Sequence, residues 1–158
     1  MNSLSRLLRF LLLAASCTFA AFGLSADVDA SSGSATARSD GFTFKAKFGS
    51  SEKNSTTSLV NYVSLTTTAP GARAYAEVNV AVSIYSKGAL VTQKKTRQSF
   101  GAGTAAATKS IDVYAPSASR RASVRRGHNE IRVEINYVYT SALLNTTFDS
   151  ETITLVVP

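Results

Sequence analysis

Residues 73–85 read RAYAEVNVAVSIY. The even positions are Ala74, Ala76, Val78, Val80, Val82 and Ile84, and the odd positions are Tyr75, Glu77, Asn79, Ala81, Ser83 and Tyr85. Apolar and polar residues alternate with period two for a dozen residues, which no helix produces. The stretch is an antiparallel strand with one face on a core and the other in water.

The same signature repeats on both sides. Phe42, Phe44, Ala46 and Phe48 alternate with Thr43, Lys45 and Lys47, giving a first strand with an aromatic inner face. Residues 57–68 are rich in β-branched and aromatic types, a second strand. Ala69-Pro70-Gly71-Ala72 then turns into the long strand. Beyond Ser86-Lys87-Gly88 the chain returns along 89–100. Pairing Ile84 with Leu90 through a three-residue loop keeps cations off the inner face and sets Glu77 opposite Arg97; a one-residue slip would exchange the faces. Lys94 alone then points inward, the mark of a protected edge strand. A short strand follows at 109–115, then a basic loop at 117–129. Another firm alternation runs through Ile131, Val133, Ile135, Tyr137 and Tyr139, and a last strand holds Ile153, Leu155 and Val157.

About seven short strands and no helix predict an all-β fold, an antiparallel β-sandwich of immunoglobulin-like or fibronectin-like architecture. The expected domain spans 41–158. Residues 31–40, small and polar, read as a flexible leader. Ahead of them Arg6 and Arg9 precede the apolar run 10–24 (FLLLAASCTFAAFGL) and then small residues at Ser25, Ala26 and Ala30. That order predicts a secretory signal over 1–30, cut after Ala26 or Ala30. The run is too short and too interrupted for a membrane span. The expected location is therefore secreted, extracellular or periplasmic. Cys17, the only cysteine, falls inside the signal, so the mature protein has no disulfide. Lipoprotein anchoring through Cys17 is a minor alternative.

The chain has 17 Lys and Arg against 10 Asp and Glu, a net charge of +7. Removing 1–30 takes two of each sign and leaves +7. Such a domain is drawn to anionic surfaces such as lipid headgroups, acidic glycans or nucleic acid, and on net charge alone solubility is the simpler reading. Catalytic chemistry has little to stand on. The only histidine, His128, lies in a Gly-His-Asn turn, and no serine occupies a nucleophile elbow. One histidine and no mature cysteine cannot build a zinc site, and no cofactor motif is present. Asp149 and Glu151 share a strand face, but a solvated strand end is the simpler reading than calcium.

The basic clusters are the better lead. Arg120, Arg121, Arg125 and Arg126 lie in one loop, and Lys94, Lys95 and Arg97 on the edge strand. On one side of the sandwich they would form an anion site. The alternatives are a solvated loop and dibasic processing sites. Tyr75 and Tyr85 face outward, but ten residues, about 33 Å of strand, separate them. Asn54 and Asn145 open glycosylation sequons in expected loops. The expectation is an exported, non-catalytic module acting on a protein or glycan by surface contact; its alternative is polyanion or acidic-glycan binding through the basic loop.

Overall fold

Among the described residues, nine strands carry the chain between two sheets. The computed structural model describes residues 32–127 and 129–157; the expected signal with Cys17, and His128, lie outside them. The strands are β1 (Ser32–Ser39), β2 (Phe42–Asn54), β3 (Thr57–Ala69), β4 (Arg73–Ser86), β5 (Ala89–Phe100), β6 (Ala107–Tyr114), β7 (Ala122–Arg125), β8 (Asn129–Ser141) and β9 (Thr146–Val157). The first sheet has the order β1-β2-β3-β6, with β7 also paired to β3; the second has the order β5-β4-β8-β9. All pairs are antiparallel. The molecule is an all-β sandwich, and among the described residues no helix is long and apolar enough to cross a membrane.

The alternations become the core. Phe42, Phe44, Ala46 and Phe48 from β2 meet Val78, Val80, Val82 and Ile84 from β4 and Ile131, Val133, Ile135 and Tyr137 from β8, all buried. At one end Phe42 stacks on Phe44 at 5.5 Å, and Tyr137 packs against Phe42 at 4.7 Å and Phe44 at 5.5 Å. Burying side chains of this size contributes about 1.5–3 kcal/mol each, and interdigitation between two inner faces is what fixes one packing.

Three expectations need correction. The leader at 31–40 contributes strand β1 instead: Ala35 opposite Ala46 and Ala37 opposite Phe44 are small enough to flank the core. A type I′ turn joins β1 to β2, with Asp40 at φ 48° and Gly41 at φ 79°. The basic loop is likewise partly strand, since β7 pairs with the half of β3 that β6 leaves open.

The β4–β5 register is the third. The loop has two residues, Lys87 (φ 50°) and Gly88 (φ 77°), and Ser86 pairs with Ala89. By itself that loop would turn cations inward. A bulge beside Tyr85 absorbs one residue, so Tyr85 faces Leu90 but Ile84 faces Thr92 and Val82 faces Lys94. The expected sidedness is recovered with every pair beyond the bulge displaced by two.

The β8–β9 turn is strained. Leu144 takes φ 62°, a conformation costing about 1–2 kcal/mol for a residue with a Cβ. It is 74% exposed and Leu143 is 85% exposed, so little packing offsets the strain. Leu144→Gly removes the strain but loses about 0.5–1 kcal/mol to backbone entropy. The expected result is a net gain below about 1 kcal/mol in urea titration together with weaker binding of a hydrophobic dye; a destabilised variant would mean that Leu144 packs on something.

Candidate functional site

Strand alternation disperses the basic clusters. Lys94 points into the gap between sheets, whereas Lys95 and Arg97, opposite Ala81 and Asn79, face out of the second sheet. Arg125, opposite Thr57, faces out of the first sheet. Arg126 forms an ion pair with Glu52 at the β2–β3 hairpin. Arg120 ends a single helical turn at 118–120 and Arg121 follows it. The seven cations therefore make no single patch: adjacent residues of a strand point to opposite sides, and β7 holds the loop against β3. Between the basic loop and the edge strand, Lys94 and Arg120 line one open cleft of about 660 Å³ at the β5 and β6 edges. Thr92, Tyr114, Ser117 and the Asp112 carboxylate line it too, so its charge is mixed.

The other candidates are equally local. Asp149 accepts hydrogen bonds from the Ser150 amide (2.8 Å) and the Ser39 hydroxyl (3.2 Å), which hold its carboxyl below the usual range. No group of three or more ligand side chains stands together among the described residues. Asn54 sits at a hairpin end, where its Oδ1 accepts from the Thr56 amide at 3.0 Å. Asn145 lies exposed in the β8–β9 turn.

What distinguishes the two outer faces is how their charges are paired. On the second sheet, Glu77, Glu130 and Glu134 face Lys95, Arg97 and Arg132, three of each sign. Arg132 donates to Glu130 at 2.8 Å and lies 5.2 Å from the Tyr85 ring centre. Arg97 reaches Glu77 at 3.6 Å, diagonally, because Ser99 stands opposite Glu77. Tyr75 (2.6 Å) and Asn79 (3.1 Å) also donate to Glu77, holding its carboxyl low and pushing the Tyr75 hydroxyl up. Tyr75 and Tyr85 are thus each engaged by a neighbouring charge. Two of the three cations on this face, Arg97 and Arg132, are paired, and Lys95 is not among the described residues.

The first sheet's outer face differs. Arg38, Lys45, Lys47 and Arg125 point outward among Ser34, Thr36, Thr43, Ser64, Thr66, Thr68, Thr108 and Ser110, with Asp112 the one carboxylate in these rows. None of the four cations has an ion pair among the described residues. Thr66 and Ser110 are 2.8 Å apart and Thr68 and Thr108 2.9 Å apart, hydroxyl to hydroxyl, across β3 and β6. Tyr62, 39% exposed, lies over Gly49, where a Cβ would come within 2.3 Å of the ring. Glycine is required there by that close approach. Beside the ring runs a shallow groove of about 390 Å³ lined by Ser32, Ser34 and Lys47. Lys45 and Lys47 were visible in the sequence as outward residues of the first strand. Their isolation from carboxylates was not, because it depends on which strands lie beside β2.

No family model and no curated protein matches the chain. Among solved structures it is similar to a protein from Archaeoglobus fulgidus, at 10% identity over 70% of this chain and 90% of that chain with a TM-score of 0.36, a likeness that carries no argument about what either protein does.

Proposed function

We propose that the chain is an exported, non-catalytic binding module that acts by surface contact through the outer face of its first sheet. The observation that carries this is the asymmetry of the two faces: one balances its charges three to three and pairs two of its three cations, while the other holds four cations without ion-pair partners among rows of hydroxyls. Unpaired like charges held close together repel one another, so such a face gains from an anionic partner. The signal-like order of residues 1–30 supports export. The strand pairing supports the immunoglobulin-like or fibronectin-like architecture, since β3 pairs across a crossover with β6 and β4 lies between β5 and β8. Such sandwiches hold side chains on rigid strands, which suits recognition by a flat face.

The test is a steric mask. In a Cys17→Ser background, Thr66→Cys on the first face and Asn136→Cys on the second are each coupled to a polyethylene glycol maleimide. Binding is then measured against immobilised proteins and neutral and acidic glycans. The expected result is that the mask at position 66 abolishes binding whatever the partner's chemistry, whereas the mask at position 136 leaves it unchanged. The reverse pattern would move the contact surface to the second sheet.

A further inference from the structure

Resting on that reading, the structure assigns to the first sheet's outer face a ligand class: we infer that it binds an acidic polysaccharide laid along β2. Arg38 stands opposite Thr43, and Lys45 and Lys47 follow at every second residue. Strand rise therefore sets successive cationic rows about 6.6–6.8 Å apart. Three cations at a regular repeat fit a polymer whose acid groups also repeat, rather than one compact anion. A compact anion is held by convergent donors, and these lysines project in parallel from one strand.

The residues between the cations narrow the class. Ser34, Thr36, Thr43, Ser64 and Thr66 stand beside Lys45 and Lys47, on the neighbouring strands or on β2 itself. Hydroxyls both donate and accept, which matches sugar hydroxyls and exceeds what a phosphate or carboxylate can use. At the far end of the track Tyr62 lies against Gly49 with its ring 39% exposed, next to Lys47 in the shallow groove. A partly exposed ring offers an apolar surface to the C–H face of a sugar.

The same residues argue against the other polyanions. Single-stranded nucleic acid is bound by a succession of aromatic platforms, one per base, and Tyr62 is the one aromatic ring on this face among the described residues. A lipid surface is held by apolar side chains that insert between headgroups. The exposed Leu143 and Leu144 are at the β8–β9 turn of the other sheet.

The experiment measures binding of the full chain to oligogalacturonate, with neutral dextran, a single-stranded oligonucleotide of matched charge and anionic vesicles in parallel. Lys45→Gln/Lys47→Gln is compared with Lys95→Gln/Arg97→Gln, which removes the same charge from the other face. The expected result is at least about tenfold loss for the first pair, little change for the second, and a salt slope shallower by about two charges for the first pair. Tyr62→Ser is expected to weaken binding roughly tenfold with the salt slope unchanged, since stacking carries no net charge. Equal losses from both pairs, tighter binding to the oligonucleotide or vesicles, or no binding to oligogalacturonate would overturn the assignment. If the mask at position 66 still blocks contact with another partner, the surface-contact reading survives and the ligand class alone is wrong.

Discussion

Arg73→Ala lowers the stability of the fold by about 2–4 kcal/mol, a larger loss than any surface substitution discussed above. Arg73 is 7% exposed although it opens the strand from which the fold is read. Its guanidinium Nη1 donates to Pro70 O at 2.8 Å and Ala105 O at 2.7 Å, bridging the β3–β4 turn to the β5–β6 connection. The backbone reinforces the bridge: Arg73 and Gly103 exchange N–H···O bonds at 3.0 and 2.9 Å, and Ala142 N donates to Ala72 O at 2.7 Å. Two connections therefore share one cation, and a backbone bond ties the β8–β9 turn to them. Alanine would leave two carbonyls without donors and a void beneath the turn, and each part costs on the order of 1–3 kcal/mol. Lysine is expected to restore part of the loss, because both bonds leave the single Nη1 and an ammonium also offers several donors, while the packing of the rest of the guanidinium is lost. Gly103→Ala tests the same contact from the other side, since its Cβ would lie 2.9 Å from Arg73 Nη2. The measurement is urea unfolding of Arg73→Ala, Arg73→Lys and Gly103→Ala. If alanine cost less than about 1 kcal/mol, the guanidinium would be an ornament and the loops would be held by backbone bonds alone.

Arg73 also shows where strand reading stops. Alternation along 73–85 places odd positions outside, and from Tyr75 onward they point outward. Between Arg73 and Tyr75 the β4–β8 register is irregular, and that irregularity turns Arg73 inward. The same limit governs the β4–β5 pairing. Which residues face the core was legible, because burying cations opposite Val78 and Val80 is costly wherever the turn falls. Which residues face each other was not, because a bulge moves the pairing without moving the faces. Strand β1 was hidden for another reason. Its inward residues are Gly33, Ala35, Ala37 and Ser39, too small to register as an apolar stripe, yet suited to an edge over Phe44. The candidate site was less legible still. The loop arginines are obvious as a cluster in sequence, but adjacency along a strand means opposite sides of a sheet. Arg38, Lys45 and Lys47 are spread over ten residues and become one row only when β1 pairs with β2.

Raising the pH should separate the wild type from Tyr137→Phe in a way that a lost packing contact cannot imitate. The Tyr137 side chain is buried against Phe42 and Phe44, and burial pushes its hydroxyl up to about 12. The Asp40 and Asp149 carboxylates, 3.1 and 3.3 Å from the hydroxyl oxygen, push in the same direction, against a lowering contribution from Ser39. Because the folded pKa lies above the unfolded value near 10, the native state favours the neutral phenol. The stabilisation is fully present below about pH 10 and is lost as pH rises through about 12. Two units convert to about 2.7 kcal/mol, which the water around the exposed carboxylates reduces to about 2 kcal/mol. Phenylalanine keeps the ring and loses one hydrogen bond, about 1 kcal/mol at neutral pH. The wild type is therefore the more stable protein at pH 8, the two curves converge above pH 10, and the phenylalanine variant is the more stable one near pH 12. Tyr114, whose pKa burial also raises, tilts both curves alike and does not disturb the comparison. Denaturant titrations of both proteins from pH 8 to 12 provide the check. Parallel curves across that range would mean that the Tyr137 proton is not coupled to folding, and that the aromatic cluster holds the two sheets together by packing alone.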